Sequence, residues 1–203
     1  MRTAIRFSVL AALVAATASC GNVATSSRAS AYVVMNSLLA APGNHPTAFG
    51  GNLVSSVITN LTTPPPCAPA SPCPTVFNDL GQATVSLAPK DVTIAPTSNN
   101  QVTITSYHVA YTRADGRNTQ GQDVPYAFDG AVTATLPPTG TVTVSFEIVR
   151  HDAKQEAPLV QLVNSNAIIN AICTVTFYGK DQVGNDVSVT GSILIDFGNF
   201  ANS

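Results

Sequence analysis

Thr141-Val142-Thr143-Val144-Ser145-Phe146-Glu147-Ile148-Val149 alternates apolar and polar side chains almost without interruption. In a strand, successive side chains point to opposite faces, so Val142, Val144, Phe146 and Ile148 share one face. Thr143, Ser145 and Glu147 then face water. A stretch of this kind is a strand half buried in an antiparallel sheet, because a strand of a parallel sheet is covered on both faces and reads as a continuous apolar run.

The same pattern recurs outward in both directions. Residues 187–197 place Val187, Val189, Ile193, Ile195 and Phe197 inward, with Gly191 as an expected bulge or point of close approach. Residues 172–178 precede them across a hairpin loop, Lys180-Asp181-Gln182-Val183-Gly184-Asn185. Further strands are expected at 32–39, 53–60, 83–87, 102–111, 132–136 and 159–163. The alternation in 102–111 changes face near Ser106, which predicts a bulge or bend there. Turn-forming stretches rich in Gly, Pro and Asn separate these runs, and no stretch carries a helical stripe. The expectation is one all-β domain, an antiparallel β-sandwich over residues 31–203.

The N-terminus reads as an address. Arg2 and Arg6 precede an uncharged apolar run, and small residues lead to Cys20, which is the layout of a secretory signal peptide over residues 1–19. Thr17-Ala18-Ser19-Cys20 is similar to a bacterial lipobox, in which the cysteine is lipidated and becomes the new N-terminus. Ala16-Thr17-Ala18 offers the alternative of ordinary cleavage after Ala18 and a secreted product. Residues 20–30 are small, polar and non-periodic, as a flexible tether requires. Gly21 stands where an inner-membrane retention signal would place Asp, which favours the outer membrane.

Composition closes off other classes. The 203 residues are 45% hydrophobic and 10% charged, with a net charge of −2 and no Trp. This is too apolar for a disordered chain and carries no basic footprint for nucleic acid. Four cysteines are present. Cys67 and Cys73 lie in the Pro-rich stretch 64–74, where a local disulfide stapling a surface loop competes with a metal pair that has no other ligands nearby. Cys173 shares a strand face with Val175 and Phe177 and reads as a small buried hydrophobe.

Two resemblances add to this. Residues 128–197 resemble the later strands of bacterial immunoglobulin-like domains, and the run from Phe177 to Gly191 looks like their final hairpin. The mature chain is also similar to uncharacterised bacterial lipoproteins that share Tyr107-His108-Val109 and Arg113-Ala114-Asp115-Gly116-Arg117-Asn118. That similarity implies an immunoglobulin-like sandwich and a lipid-anchored address, and brings no activity with it.

Charged residues gather in one loop-rich segment holding Arg113, Asp115, Arg117 and Asp123, with Tyr126 beside them. Such a segment is either a recognition surface or a solvated loop held by its own Arg–Asp pairs. A second group, Arg150 to Glu156, reads as a surface connector, either a short helical turn or a loop. Asp181 to Asp186 offers oxygen atoms for a weak calcium site, against the plainer reading of a turn. The histidines lack metal-ligand spacing, and there is neither a G-x-S-x-G elbow nor a nucleotide-binding loop. The expectation is therefore a non-catalytic, envelope-anchored protein with no metal or cofactor and a structural, assembly or adhesion role. Its partners would be the membrane, through the anchor, and an envelope protein or glycan. A glycan- or small-ligand-binding surface protein is the alternative, and a hydrolase lacks a nameable nucleophile–base pair.

Overall fold

In a computed structural model, which describes residues 28–200, the alternating segments pair into two main sheets. The first has the order β1-β5-β8, from β1 (Ala31–Ala41), β5 (Asp79–Pro89) and β8 (Thr141–Val149). The second has the order β2-β10-β9-β6-β7. Its strands are β2 (Asn52–Ser56), β6 (Val102–Thr112), β7 (Phe128–Leu136), β9 (Ile169–Asp181) and β10 (Asp186–Gly198). A small ribbon pairs β3 (Thr59–Leu61) with β4 (Cys73–Thr75). Every pairing is antiparallel except β2 with β10, which is parallel. The chain is therefore all-β in its sheets.

The two main sheets face one another across one core. Val144, Phe146 and Ile148 of β8 are buried, as their spacing predicts. The Phe146 ring lies 5.1 Å from Tyr107 and 5.2 Å from Phe177, both on the opposite sheet. Tilted and edge-on contacts at these separations suit the aromatic quadrupole. Gly81 faces Phe146 across the β5–β8 pair, and a Cβ there would overlap the Phe146 ring. Gly191 is a point of close approach and not a bulge: the β9–β10 register runs through it unbroken, and a Cβ would strike Met35 of β1. The register of β6 against both its neighbours shifts between Ile104 and Ser106, the bulge expected from the change of face.

Three expectations are corrected. Residues 53–60 do not form one strand: Val57, fully buried, donates its N–H to the Gly198 carbonyl at 2.9 Å, and the chain there leaves β10 to pair as β3 with β4. Residues 159–163 are not a strand but a 3-10 turn, Leu159–Leu162. Its i, i+3 spacing puts Leu159 and Leu162 on one side, and both are buried. The stretch from Arg150 to Glu156 takes the helical-turn alternative, but it does not lie wholly at the surface. It contains a short helix, α1 (His151–Gln155), whose Lys154 is buried.

The strand register gives the domain two poles. One carries the chain entry at residues 28–30 and the connections 90–101, 137–140 and 182–185. The other carries the connections 42–51, 113–127 and 150–168, together with the segment 57–78 that holds the β3–β4 ribbon. The expected signal peptide, residues 1–19, and Cys20 lie outside the described residues. Of the 20–30 stretch, residues 28–30 are described. Ala29 is buried there, and the Ser30 carbonyl accepts the Lys90 N–H at 3.1 Å.

Candidate functional site

The 113–127 loop leaves β6 at the pole opposite the chain entry and folds largely on itself. Asp115 accepts Arg113 Nη2 at 2.6 Å and Arg117 Nη2 at 2.8 Å on the same oxygen, Oδ2. Its Oδ1 takes the Arg117 backbone N–H at 3.1 Å. Hydrogen bonds from Arg117 first, then Arg113, hold this carboxyl well below the ordinary carboxylate range. Asp123 Oδ2 accepts the Thr119 N–H at 3.2 Å, and the Asp123 N–H returns to the Thr119 carbonyl at 2.8 Å. Asn118 Oδ1 caps the Arg113 N–H at 2.6 Å. Arg113, Asp115, Arg117 and Asp123 are thus all engaged within the loop, Arg117 through an exposed side chain, while Tyr126 presents its ring outward.

Tyr126 is half exposed and packs over Gly121, where φ is +75°, so close that a Cβ would overlap its ring. A glycine is required there twice over, by the left-handed backbone and by the ring. On its other side Tyr126 lines a hollow of about 480 Å³ with Arg150, Asp152, Gln155 and Glu156. An adjoining groove of about 560 Å³ runs along the seam between edge strands β7 and β8, over Tyr107, Phe128 and Phe146. Arg150 lines both. Its guanidinium sits 4.3 Å above the Phe128 ring, and its buried Nε has no hydrogen-bond partner among the described residues. The hollow itself is amphipathic, with one aromatic ring (Tyr126), one cation (Arg150) and two carboxylates (Asp152 and Glu156).

The other sequence-level candidates are placed elsewhere. Cys67 and Cys73 form a disulfide with Cα atoms 5.3 Å apart, stapling the loop that leads into the β3–β4 ribbon. Cys173 is buried on β9, and burial pushes its thiol far above the ordinary range, so it is no nucleophile. Asp181 spends its carboxylate on its own turn, accepting the Val183 and Asn185 N–H groups at 3.0 and 2.8 Å and Asn185 Nδ2 at 2.8 Å. That favours the plain turn over calcium.

The sequence did not announce Arg150, Asp152 and Glu156 as neighbours of Tyr126. Nor did it announce a wholly buried cluster around Asp79. There the carboxylate receives Lys154 Nζ at 2.9 Å, Ser55 Oγ at 2.6 Å and the Gly43 N–H at 2.9 Å. The advance signal is a lone charged residue, Asp79, opening a strand that carries no other charge. Compared with protein-family models, with curated proteins and with solved structures, the chain matches none of them.

Proposed function

We propose that this chain is a lipid-anchored envelope protein whose immunoglobulin-like β-sandwich binds a partner without catalysis, in an assembly or adhesion role. The lipobox-like cysteine and the export signal support the anchor, and the Gly after the cysteine favours the outer membrane. The facing of a three-stranded and a five-stranded sheet around one aromatic core supports the sandwich.

The observation that carries the binding role is the hollow at Tyr126 and Arg150. Two loop segments remote in sequence, 113–127 and 150–156, meet there at the pole away from the chain entry. Function on a β-sandwich concentrates in such end loops, which a rigid scaffold positions. An aromatic and an arginine at the centre of a concavity are the residue types that dominate binding hot spots. Crosslinking in the native envelope through a photoreactive side chain at position 126 tests the reading. A defined partner is expected, and its capture should fall when Arg150→Ala is added. No capture, or capture indifferent to Arg150→Ala, overturns it.

A glycan ligand is the second reading, favoured by the exposed Tyr126 ring beside the carboxylates of Asp152 and Glu156. Sugars stack on aromatic faces and hydrogen-bond to flanking acids. A glycan array probed with the chain from residue 21 onward separates the two readings, since a protein partner leaves it blank.

A further inference from the structure

We propose that the pole at which the chain enters the domain rests on the lipid bilayer surface, with Val92, Ile94 and Val183 seated in it. Three aliphatic side chains project from loops at this end. Val92 is 86% exposed, Ile94 65% and Val183 83%. They sit on two different connections, 90–101 and 182–185, that the register brings to the same end. Tyr32, 62% exposed, stands beside them at the start of β1, with Lys90 Nζ 4.7 Å above its ring. An aromatic with a polar tip and a long-stemmed cation are the side chains that settle at a membrane–water boundary.

The charge distribution agrees. Arg113, Asp115, Arg117, Asp123, Arg150, Asp152 and Glu156 all belong to the opposite pole. At the entry pole Lys180 is paired with Asp186, the Asp181 carboxylate is turned into its own hairpin, and Asp91 caps Thr93. With Arg28 and Lys90 set against Asp91 and Asp181, that end is close to neutral, and Val92, Ile94 and Val183 are its exposed aliphatic side chains. It fits a bilayer surface through shallow aliphatic insertion, without a polybasic patch.

The occupant follows from where the chain arrives. This inference rests on the lipid at Cys20 proposed above. Arg28 opens the described residues and follows Cys20 by eight positions. Eight residues span at most about 29 Å even when fully extended. A strand as long as β1, with 11 residues, is itself about 36 Å long. A leash shorter than the domain cannot present the far pole to the membrane, so the entry pole is the one held against it. The Tyr126–Arg150 hollow then points away from the bilayer, where a partner can reach it.

Because the natural chain contains no Trp, single tryptophans report position cleanly. Val92→Trp and Val183→Trp probe the entry pole, and Val160→Trp, also an exposed valine, probes the opposite one. The mature chain is tethered to phosphatidylcholine vesicles carrying brominated acyl chains. Tethering is by its own lipid or, for chain cleaved after Ala18, by coupling the Cys20 thiol to a maleimide lipid. Strong quenching and a blue shift are expected at 92 and 183, with background quenching at 160. Adding Ile94→Asp should weaken the quenching at both entry-pole positions while thermal unfolding stays unchanged. Equal quenching at all three sites, or none at 92 and 183, overturns the proposal. Intact mass of the chain extracted from membranes tests acylation separately, so loss of one reading is not loss of the other.

Discussion

Lys154 Nζ lies 2.9 Å from both carboxylate oxygens of Asp79, and both side chains are shut off from water. The pair joins α1 to the first residue of β5, 75 positions apart, and Ser55 of β2 completes it from the other sheet. Burial holds the Asp79 carboxyl above its ordinary range, and the Lys154 ammonium, with the Ser55 and Gly43 donors, offsets only part of that rise. The cluster therefore locks both sheets and the helix together at the pole opposite the chain entry.

Removing one partner of a buried ion pair strands the other charge. Lys154→Met should cost about 3–5 kcal/mol in urea or guanidinium unfolding. The double variant Asp79→Asn/Lys154→Met should recover more than half of that. Asparagine removes the stranded charge, keeps a carbonyl oxygen for the Gly43 N–H and donates an amide N–H to Ser55 Oγ. If the double variant is as unstable as the single one, the cost comes from packing and not from charge.

The disulfide between Cys67 and Cys73 closes a short loop, with a sequence separation of 6. In the chain-entropy picture, Cys67→Ser/Cys73→Ser should lower stability by about 2 kcal/mol with the sheets intact by circular dichroism. Cys173 should resist iodoacetamide in the native protein with Cys20 blocked, and react fully once denatured. Labelling without denaturant would contradict its burial.

Acid should loosen the β9–β10 hairpin first. Burial raises the Asp181 carboxyl, but the Asn185 side chain and the Asn185, Val183 and Gly184 backbone groups outweigh it, holding it below its ordinary 3.8. A depressed folded pKa means the unfolded chain binds more protons, so stability rises with pH through that window. The contribution is complete above about pH 5 and disappears as pH falls through the folded value. Asp181→Asn should lose about 1–2 kcal/mol at neutral pH. Its pH–stability curve should be flatter below pH 5 and meet the wild-type curve in strong acid. Parallel curves would show that another carboxylate governs the acid limb.

In the 113–127 loop, Gly121→Ala places a Cβ where the backbone is left-handed and the Tyr126 ring already stands. A loss of about 1–2 kcal/mol is expected from the backbone alone. The ring must also move, so a Tyr126→Trp reporter should shift its emission to the red when Gly121→Ala is added. Unchanged emission would mean that Tyr126 is not held by this contact.

Much of the sheet architecture was legible because period-two alternation is a local property. Val144, Phe146 and Ile148 declare their face by spacing alone, and the change of face near Ser106 marks the bulge. Leu159 to Val163 misled for the same reason. Its short apolar run fits a buried strand and a 3-10 turn equally well, and only the surroundings of Leu159 and Leu162 decide. At the site, Tyr126 and the Arg113–Asp115–Arg117 group could be singled out from local composition. Their division of labour could not, because it depends on which donors Asp115 captures.

Spacing along the chain marked most of the long strands, the turns between them and the buried character of Cys173, and it put Cys67 and Cys73 within reach of one another. Each depends on neighbours a few residues away. Tertiary structure alone decided that Arg150 meets Tyr126, that Lys154 finds Asp79, and that Val92, Ile94 and Val183 share one end. Those relationships join residues separated by tens of positions. They exist only where strand register and sheet packing have already fixed which end of each strand faces which pole.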